Sequence, residues 1–263
     1  MPERDLALIV EAARGAGAIA KDFFGGSYKQ WDKGAGEPVT EADLAVDKFL
    51  STGLRAARPD YGWLSEETED DPSRLSAGNV FVVDPIDGTI AFLKGKPHFT
   101  ISIAIVREGR PRAGVVFNPI TEECFSAREG KGAALNGVPI HVSAQSEIEG
   151  CRMLATKSLF EYAGWNTAPL SPWPAMQIET RSSIAYRMAL VAAGQFDAMM
   201  SLSAKHDWDL AAGDIIVREA GGRVSNARGA DLRYNAPVPH QRSVVAAGAR
   251  LHEKILDKLK PLP

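Results

Sequence analysis

Four acidic residues from separate stretches of the chain, Glu66, Asp84, Asp87 and Asp209, each stand beside structural punctuation. The sharpest case is Val80-Phe81-Val82-Val83-Asp84-Pro85-Ile86-Asp87-Gly88-Thr89, where an apolar, strand-like run ends in two acids, a glycine and a hydroxyl. Carboxylates at the mouth of a buried strand need a compensating charge, and bound cations supply it. Two carboxylates ~4 Å apart repel by ~4 kcal/mol at an effective dielectric of ~20, so clustered acids either hold cations or are driven to high pKa. Hard oxygen donors favour Mg²⁺, Mn²⁺ or Ca²⁺. Zinc is disfavoured, because neither Cys124 nor Cys151 has a partner at ligand spacing and the five histidines form no paired motif. Magnesium is the expected ion. Taken singly, Asp209 before Leu210-Ala211-Ala212-Gly213 is a helix N-cap and Asp87 a turn residue; only together do the acids describe a metal site.

Gly88-Thr89 adds a place for an anion. A glycine lets backbone approach a ligand closely, and successive free N–H groups at a turn can hold a phosphate. Without the flanking acids the same Asp-Gly-Thr is an ordinary turn. Thr89 paired with Asp43 would orient and help deprotonate a water, whereas Asp43 alone is a first-turn acid complementing a helix dipole. A lysine of the early loop, Lys33 or Lys29, could fold over the phosphate, although a solvated lysine is the plainer reading. Asp84 and Asp87 are separated by two residues, Pro85 and Ile86, so no acid stands two positions before Asp87 and the Asp-x-Asp-x-Thr arrangement of phosphatases that pass through an aspartyl-phosphate does not fit.

The elements that must position these groups follow from periodicity. Leu6, Ile9, Val10 and Ala13 recur at helical spacing ahead of a Gly25-Gly26 break and a polar loop over residues 29–36. Thr40 reads as an N-cap with Asp43 three residues on, and Val46, Phe49, Leu50 and Leu54 form the buried stripe of a second helix. Residues 99–105 alternate apolar with small or polar side chains and, after Glu108-Gly109, pair with residues 113–117 as a hairpin. Asn118-Pro119 and Asn136-Gly137 punctuate further strands. Beyond a boundary near residue 140 the spacing predicts a helix over 182–193 closed by Gly194, a strand over 196–200 and a helix over 210–220 closed by Gly221. Strands near Val224 and Val244 follow, then a last helix with Leu251, Ile255 and Leu259 on one face. The whole reads as layered α/β or α+β, divided into residues 1–140 with the main metal site and residues 141–263 contributing Asp209.

At 263 residues and 45% hydrophobic, the chain can build a large core of one or two domains. A formal net charge of -3, with basic and acidic residues interspersed, offers no field for a nucleic-acid polymer. Two cysteines are too few for a disulfide framework, which suits a reducing, cytoplasmic setting. Nothing at the start resembles a targeting segment, and the longest apolar run, residues 99–106, is far short of the ~20 residues of a spanning helix, so membrane insertion is not expected.

These motifs resemble the inositol monophosphatase superfamily of magnesium-dependent, lithium-sensitive phosphatases. Asp84-Pro85-Ile86-Asp87-Gly88-Thr89 corresponds to its first signature, and Trp208-Asp209-Leu210-Ala211-Ala212-Gly213 with Glu219-Ala220-Gly221-Gly222 to its second. Ser65-Glu66-Glu67 and Pro38-Val39-Thr40-Glu41-Ala42-Asp43 fall in the expected order, so the similarity spans nearly the whole chain. The resemblance implies a layered αβαβα sandwich, commonly dimeric. It implies that Glu66, Asp84 and the Ile86 carbonyl hold one Mg²⁺, that Asp84, Asp87 and Asp209 hold a second, and that a third, weaker ion lies near Glu66, Mn²⁺ being a possible substitute. It also implies a catalytic group of Thr89, Asp43 and Glu66, with Gly88, Thr89, Asp87, Lys205 and Asp209 facing the phosphate and substrate.

The substrate signals are mixed. Asn118-Pro119 and Leu135-Asn136-Gly137 are similar to inositol-phosphate members, yet residues 202–206 lack the acid that usually binds a sugar hydroxyl there. Ser65, and Phe92 near Lys94, resemble 3′(2′),5′-bisphosphate nucleotidases, in which Lys205 or His206 would meet a second phosphate. The balance leans to 3′-phosphoadenosine 5′-phosphate, with inositol 1-phosphate or histidinol phosphate as alternatives. A regulatory binding protein with secondary phosphatase activity is the reading from another class, and the complete acid set argues against it.

Overall fold

The computed structural model describes residues 2–32 and 38–261. Helix α1 (Pro2–Phe23) buries Ile9, Ala13, Ala16 and Ala20, a stripe of mostly small side chains that lets it lie close to its neighbours. Strands β1 (Gln30–Asp32) and β2 (Pro38–Thr40) pair antiparallel, so the stretch expected to be a plain loop is partly a two-stranded ribbon. Its polar composition carries no strand signal, because the pairing comes from the partner strand. Lys33, one of the two lysines considered for the phosphate, lies outside the described residues.

Helix α2 (Glu41–Ala57) begins where the capping signal places it: Thr40 Oγ1 accepts from the Ala42 and Asp43 N–H groups, and Asp43 Oδ2 accepts from Thr40 N–H at 2.7 Å. It buries Val46, Leu50 and Leu54. Phe49, expected on that stripe, is instead 42% exposed, its ring lying over Gly15 of α1 at the edge of the helix pair.

Seven strands follow in spatial order of sequence: β3 (Gly62–Ser65), β4 (Val80–Asp87), β5 (Thr100–Arg107), β6 (Arg110–Asn118), β7 (Glu123–Arg128), β8 (Ala133–Leu135) and β9 (Val138–Ile140). Only β3 and β4 are parallel; the others turn back on themselves, as at Glu108-Gly109 and Asn136-Gly137, where both residues adopt positive φ. The one-turn helix α3 (Thr89–Leu93) leaves the end of β4. Alternation sorts the sheet's faces. Phe81, Val83, Ile101, Ile103 and Ile105 pack against α1 and α2, while Val82, Ala104, Val106 and Val116 face the opposite layer.

The second sheet has the order β11-β10-β12-β16-β14, built from β10 (Arg152–Leu154), β11 (Gln177–Glu179), β12 (Ala198–Ser201), β14 (Gly222–Ser225) and β16 (Val244–Gly248). Helices α4 (Ile184–Ala192) and α5 (Asp207–Glu219) are sandwiched between the two sheets, and α5 comes close to β6 at Gly114, where a Cβ would meet Ile215 at 2.7 Å. Helix α6 (Ala249–Leu259) covers the outer face through Leu251, Ile255 and Leu259. A small ribbon of β13 (Lys205–His206) and β15 (His240–Gln241) borders the start of α5. The layers run α1/α2, seven strands, α4/α5, five strands, α6, which is the αβαβα sandwich. Among the described residues no helix is long and apolar enough to cross a membrane.

Candidate active site

A cleft of about 680 Å³ opens where the end of β4 meets the first turns of α4 and α5. Glu66, Asp84, Asp87, Gly88, Thr89 and Asp209 all line it. Carboxylate oxygens of Asp84, Asp87 and Asp209 lie within 4.8 Å of one another. Three residues far apart in the chain thus present hard oxygen donors to one point, a set fit to hold a divalent ion of the magnesium or manganese kind. Glu66 stands just past β3 on the same wall but outside that tight trio.

Each acid is positioned by its element. The β4–β5 ladder shifts register between Asp84 and Asp87, a kink that turns both carboxylates to the same side. Asp84, 1% exposed, accepts from the Ile86 N–H at 3.0 Å. Asp87 sits against the N-terminus of α4: its Oδ2 accepts from Ser183 Oγ and Ala185 N, both at 2.6 Å, and its Oδ1 from Ile184 N at 3.2 Å. Ser183, the N-cap of α4, is therefore spent twice, donating to Asp87 and accepting from Tyr186 N–H at 2.9 Å. Asp209 is not the N-cap of α5. His206 is, and Asp209, three residues in, accepts from the His206 N–H at 2.8 Å.

The electrostatics of the acids are those of like charges brought together in a buried place. Burial raises the pKa of Asp84 well above the carboxylate range, and Glu66, Asp87, Asp209 and Asp43 each raise it further. Burial lifts Asp87 to about 6 against the pull of Ser183 and the α4 N–H groups. Asp209 is raised by burial, then by Asp87 and Glu66, with the His206 N–H and Lys205 opposing.

Gly88 holds φ +98, and a Cβ there would come within 2.9 Å of the His98 carbonyl and 3.0 Å of Ser183 N, so no other residue fits the turn from β4 into α3. Thr89 Oγ1 lies 3.3 Å from Asp43 Oδ1 and 3.2 Å from the Ile86 carbonyl. Asp43 makes both contacts at once: Oδ2 caps α2 and Oδ1 meets Thr89.

Other expected residues fall elsewhere. Lys29 is exposed, its backbone tied to Glu41, and does not line the cleft. The Ser65 hydroxyl donates to Asp47 at 2.6 Å, away from the cleft. Phe92 is fully buried among Phe24, Tyr28 and Phe99, and Lys94 is exposed outside the lining. None of these three lines the cleft: Ser65 and Phe92 are buried in the packing beside it, and Lys94 lies on the surface beyond α3.

On the basic side of the cleft, Lys205 and His206 line the pocket where the sequence reading placed them, while Arg187 was not foreseen from the sequence. Arg187 of α4, 6% exposed, lines the cleft with its Nε donating to the Arg181 carbonyl at 2.6 Å. Lys205 lies beside it, its Nζ 2.8 Å from Ser203 Oγ. Burial lowers the pKa of both, and each cation depresses or is depressed by another of the same sign. His206 stacks on Trp208 at 4.4 Å with nearly parallel rings at the cleft edge. The one signal in the sequence was an arginine inside the otherwise apolar run Ile184-Ala185-Tyr186-Arg187-Met188-Ala189-Leu190-Val191, a buried cation in need of a reason.

Comparison with known proteins agrees over the full length. The model of the inositol monophosphatase family matches residues 1–262. "Inositol monophosphatase 3" of Solanum lycopersicum is 35% identical over 98% of this chain and 97% of its own. "Nus factor SuhB" of Haemophilus influenzae is 34% identical over 97% of this chain and 96% of its own. The crystal structure of the extragenic suppressor protein suhB from Bartonella henselae superposes with a TM-score of 0.83 at 30% identity, covering 99% of this chain and 100% of that one. Matched from end to end in sequence and in fold, the chain belongs to the inositol monophosphatase family and is one of its phosphatases.

Proposed function

We propose that the chain hydrolyses a small phosphate monoester with divalent ions, most simply Mg²⁺, at the Asp84, Asp87 and Asp209 cluster. The observation that carries this reading is the approach of those three carboxylates to within 4.8 Å. Glu66 and the Ile86 carbonyl would complete a second set of ligands sharing Asp84. Bound there, the ions would lower the pKa of a coordinated water and neutralise charge on the phosphoryl and leaving oxygens. Thr89 Oγ1, within 3.3 Å of Asp43 Oδ1 and lining the cleft, would orient that water, with Asp43 as the proton acceptor behind it. Gly88, which has no room for a side chain against His98 and Ser183, lets β4 turn sharply into α3 and so sets Thr89 at the cleft, where their backbone N–H groups would face the phosphate.

For the substrate, Arg187 and Lys205 favour an ester carrying a second anionic group, and so 3′-phosphoadenosine 5′-phosphate over inositol 1-phosphate or histidinol phosphate. A guanidinium held by one backbone carbonyl keeps donors for a forked contact with phosphate. Comparing kcat/KM for these three compounds and fructose 1,6-bisphosphate with Mg²⁺ is the test. Preference for the bisphosphates, lost in Arg187→Met, supports it, and equal use of inositol 1-phosphate by both proteins refutes it. The name "Nus factor SuhB", borne by several relatives, favours a second role as a binding protein. Failure to release phosphate from any monoester with Mg²⁺ present would leave that role as the main one. A homodimer, implied by the family, is checked by light scattering.

A further inference from the structure

We infer that Arg74 is a positioning residue for Asp209, acting through Asn235 and Asp207. Arg74 sits in the short 3-10 turn Pro72–Ser76 between β3, which Glu66 follows, and β4, which contains Asp84. It is among the largest fully buried side chains of the protein, at 1% exposure. Its guanidinium forks onto Asp70, with Nε to Oδ1 at 2.6 Å and Nη2 to Oδ2 at 2.8 Å. The remaining donors cross to the other half of the chain, Nη1 to Asn235 Oδ1 at 2.6 Å and both Nη1 and Nη2 to the Ala236 carbonyl at 3.1 Å.

Asn235 is held at φ 62, left-handed for a non-glycine residue, and in that pose its N–H donates to Asp207 Oδ2 at 2.7 Å. Gln241 Nε2 donates to the other oxygen of Asp207 at 2.9 Å, and Asp207 N–H donates to the Pro239 carbonyl at 2.9 Å. Asp207, fully buried, is the first residue of α5, and Asp209 is the third. The segment from Asn235 to Gln241 therefore fixes the start of α5, and Arg74 fixes that segment to the turn between β3 and β4. Surface charge alone does not explain a buried arginine whose donors all end on backbone and side-chain oxygens of these two segments. Holding two halves of an ion site in register does.

The expectation rests on the proposed metal site, because its main readout is ion affinity. Partners that orient ligands without touching the ion change metal affinity by roughly 10–100-fold when removed. Arg74→Met and Asn235→Gly are compared with the unchanged chain by Mn²⁺ titration, read by electron paramagnetic resonance of free Mn²⁺, well below each protein's unfolding temperature. Glycine keeps the left-handed backbone and the N–H to Asp207 while removing only the side-chain contact to Arg74, so Asn235→Gly folds and is expected to show the smaller loss. Leu259→Ala, in the α6 layer, is the control for stability loss alone. The expected result is Mn²⁺ binding about 10-fold weaker in Arg74→Met, weakened in the same sense in Asn235→Gly, and unchanged in Leu259→Ala. Unchanged affinity in Arg74→Met and Asn235→Gly overturns the inference, as does equal weakening in Leu259→Ala. Amide exchange at residues 207–210 is measured on the same samples. If the unchanged chain binds no Mn²⁺, the proposed metal site fails instead, and exchange decides the relay: faster in both variants sustains it, unaltered overturns it.

Discussion

The two walls of the cleft are built by opposite means. The acidic wall is set by backbone: a register shift in β4, the N-terminal N–H groups of α4, and the first turn of α5 hold Asp87 and Asp209, while Asp84 is pinned by Ile86 N–H. The cationic wall hangs from little more than a carbonyl, with Arg187 on Arg181 and Lys205 on Ser203 and Ala204. The first wall is rigid and, without ions, electrostatically strained. The second is adaptable. The difference teaches that the reaction centre and the choice of substrate are separable in this fold, one fixed by main chain and the other by long side chains.

Substitutions should respect that division. Asp209→Asn or Thr89→Ala is expected to lower kcat by on the order of 10³ for every substrate, since each removes a group acting at the reacting phosphate. Both proteins should stay folded by circular dichroism, and metal-free Asp209→Asn should melt higher than the unchanged chain because one of the repelling charges is gone. Near-normal turnover in both would erase the acidic wall's assigned part. Arg187→Met is expected to reduce kcat/KM by roughly 10–100-fold for substrates with a second anion and far less for those without, the scale of a charge-assisted hydrogen bond. A uniform loss would merge the two walls into one.

Asp87 gives the comparison a pH dependence. Its pKa is raised from 3.8 to about 6, so the folded, metal-free protein holds this proton more tightly than the unfolded chain does. Stability is then complete below about pH 4 and falls by about 3 kcal/mol as pH rises through 6. Added Mg²⁺ should reverse the fall. Thermal unfolding from pH 4 to 8, in chelator and in Mg²⁺, checks this, and parallel curves would mean that the acids do not share an ion. The smallest effect belongs to Ser65→Ala. Its lost hydrogen bond to Asp47 should cost about 1 kcal/mol, leaving the ratio of nucleotide to inositol phosphate turnover unaltered.

Sequence reading reached the acidic wall because backbone turns leave marks: Asp-Gly-Thr after an apolar strand, Thr40 three residues before Asp43, Trp208-Asp209 at a helix start. The layer order followed from alternation in residues 99–105 and helical spacing elsewhere. It misjudged Phe49, since one position on a helix edge can face a neighbour or solvent with little change of spacing. Ser65 and Phe92 sit near the motifs in sequence yet pack behind them, and Lys94 stays on the surface outside the cleft, which proximity along the chain could not reveal. Arg187 and the pairing of Asp87 with Ser183, 96 residues away, depend on how α4 packs across β4, a contact that no local pattern encodes.

Convergence of Asp84, Asp87 and Asp209 on shared cations is best tested by a crystal structure grown with Mn²⁺ and read by anomalous scattering. A peak ~2.0–2.3 Å from oxygens of all three carboxylates is expected. Ordered acids in the same crystals with no peak between them, at saturating Mn²⁺, would contradict it.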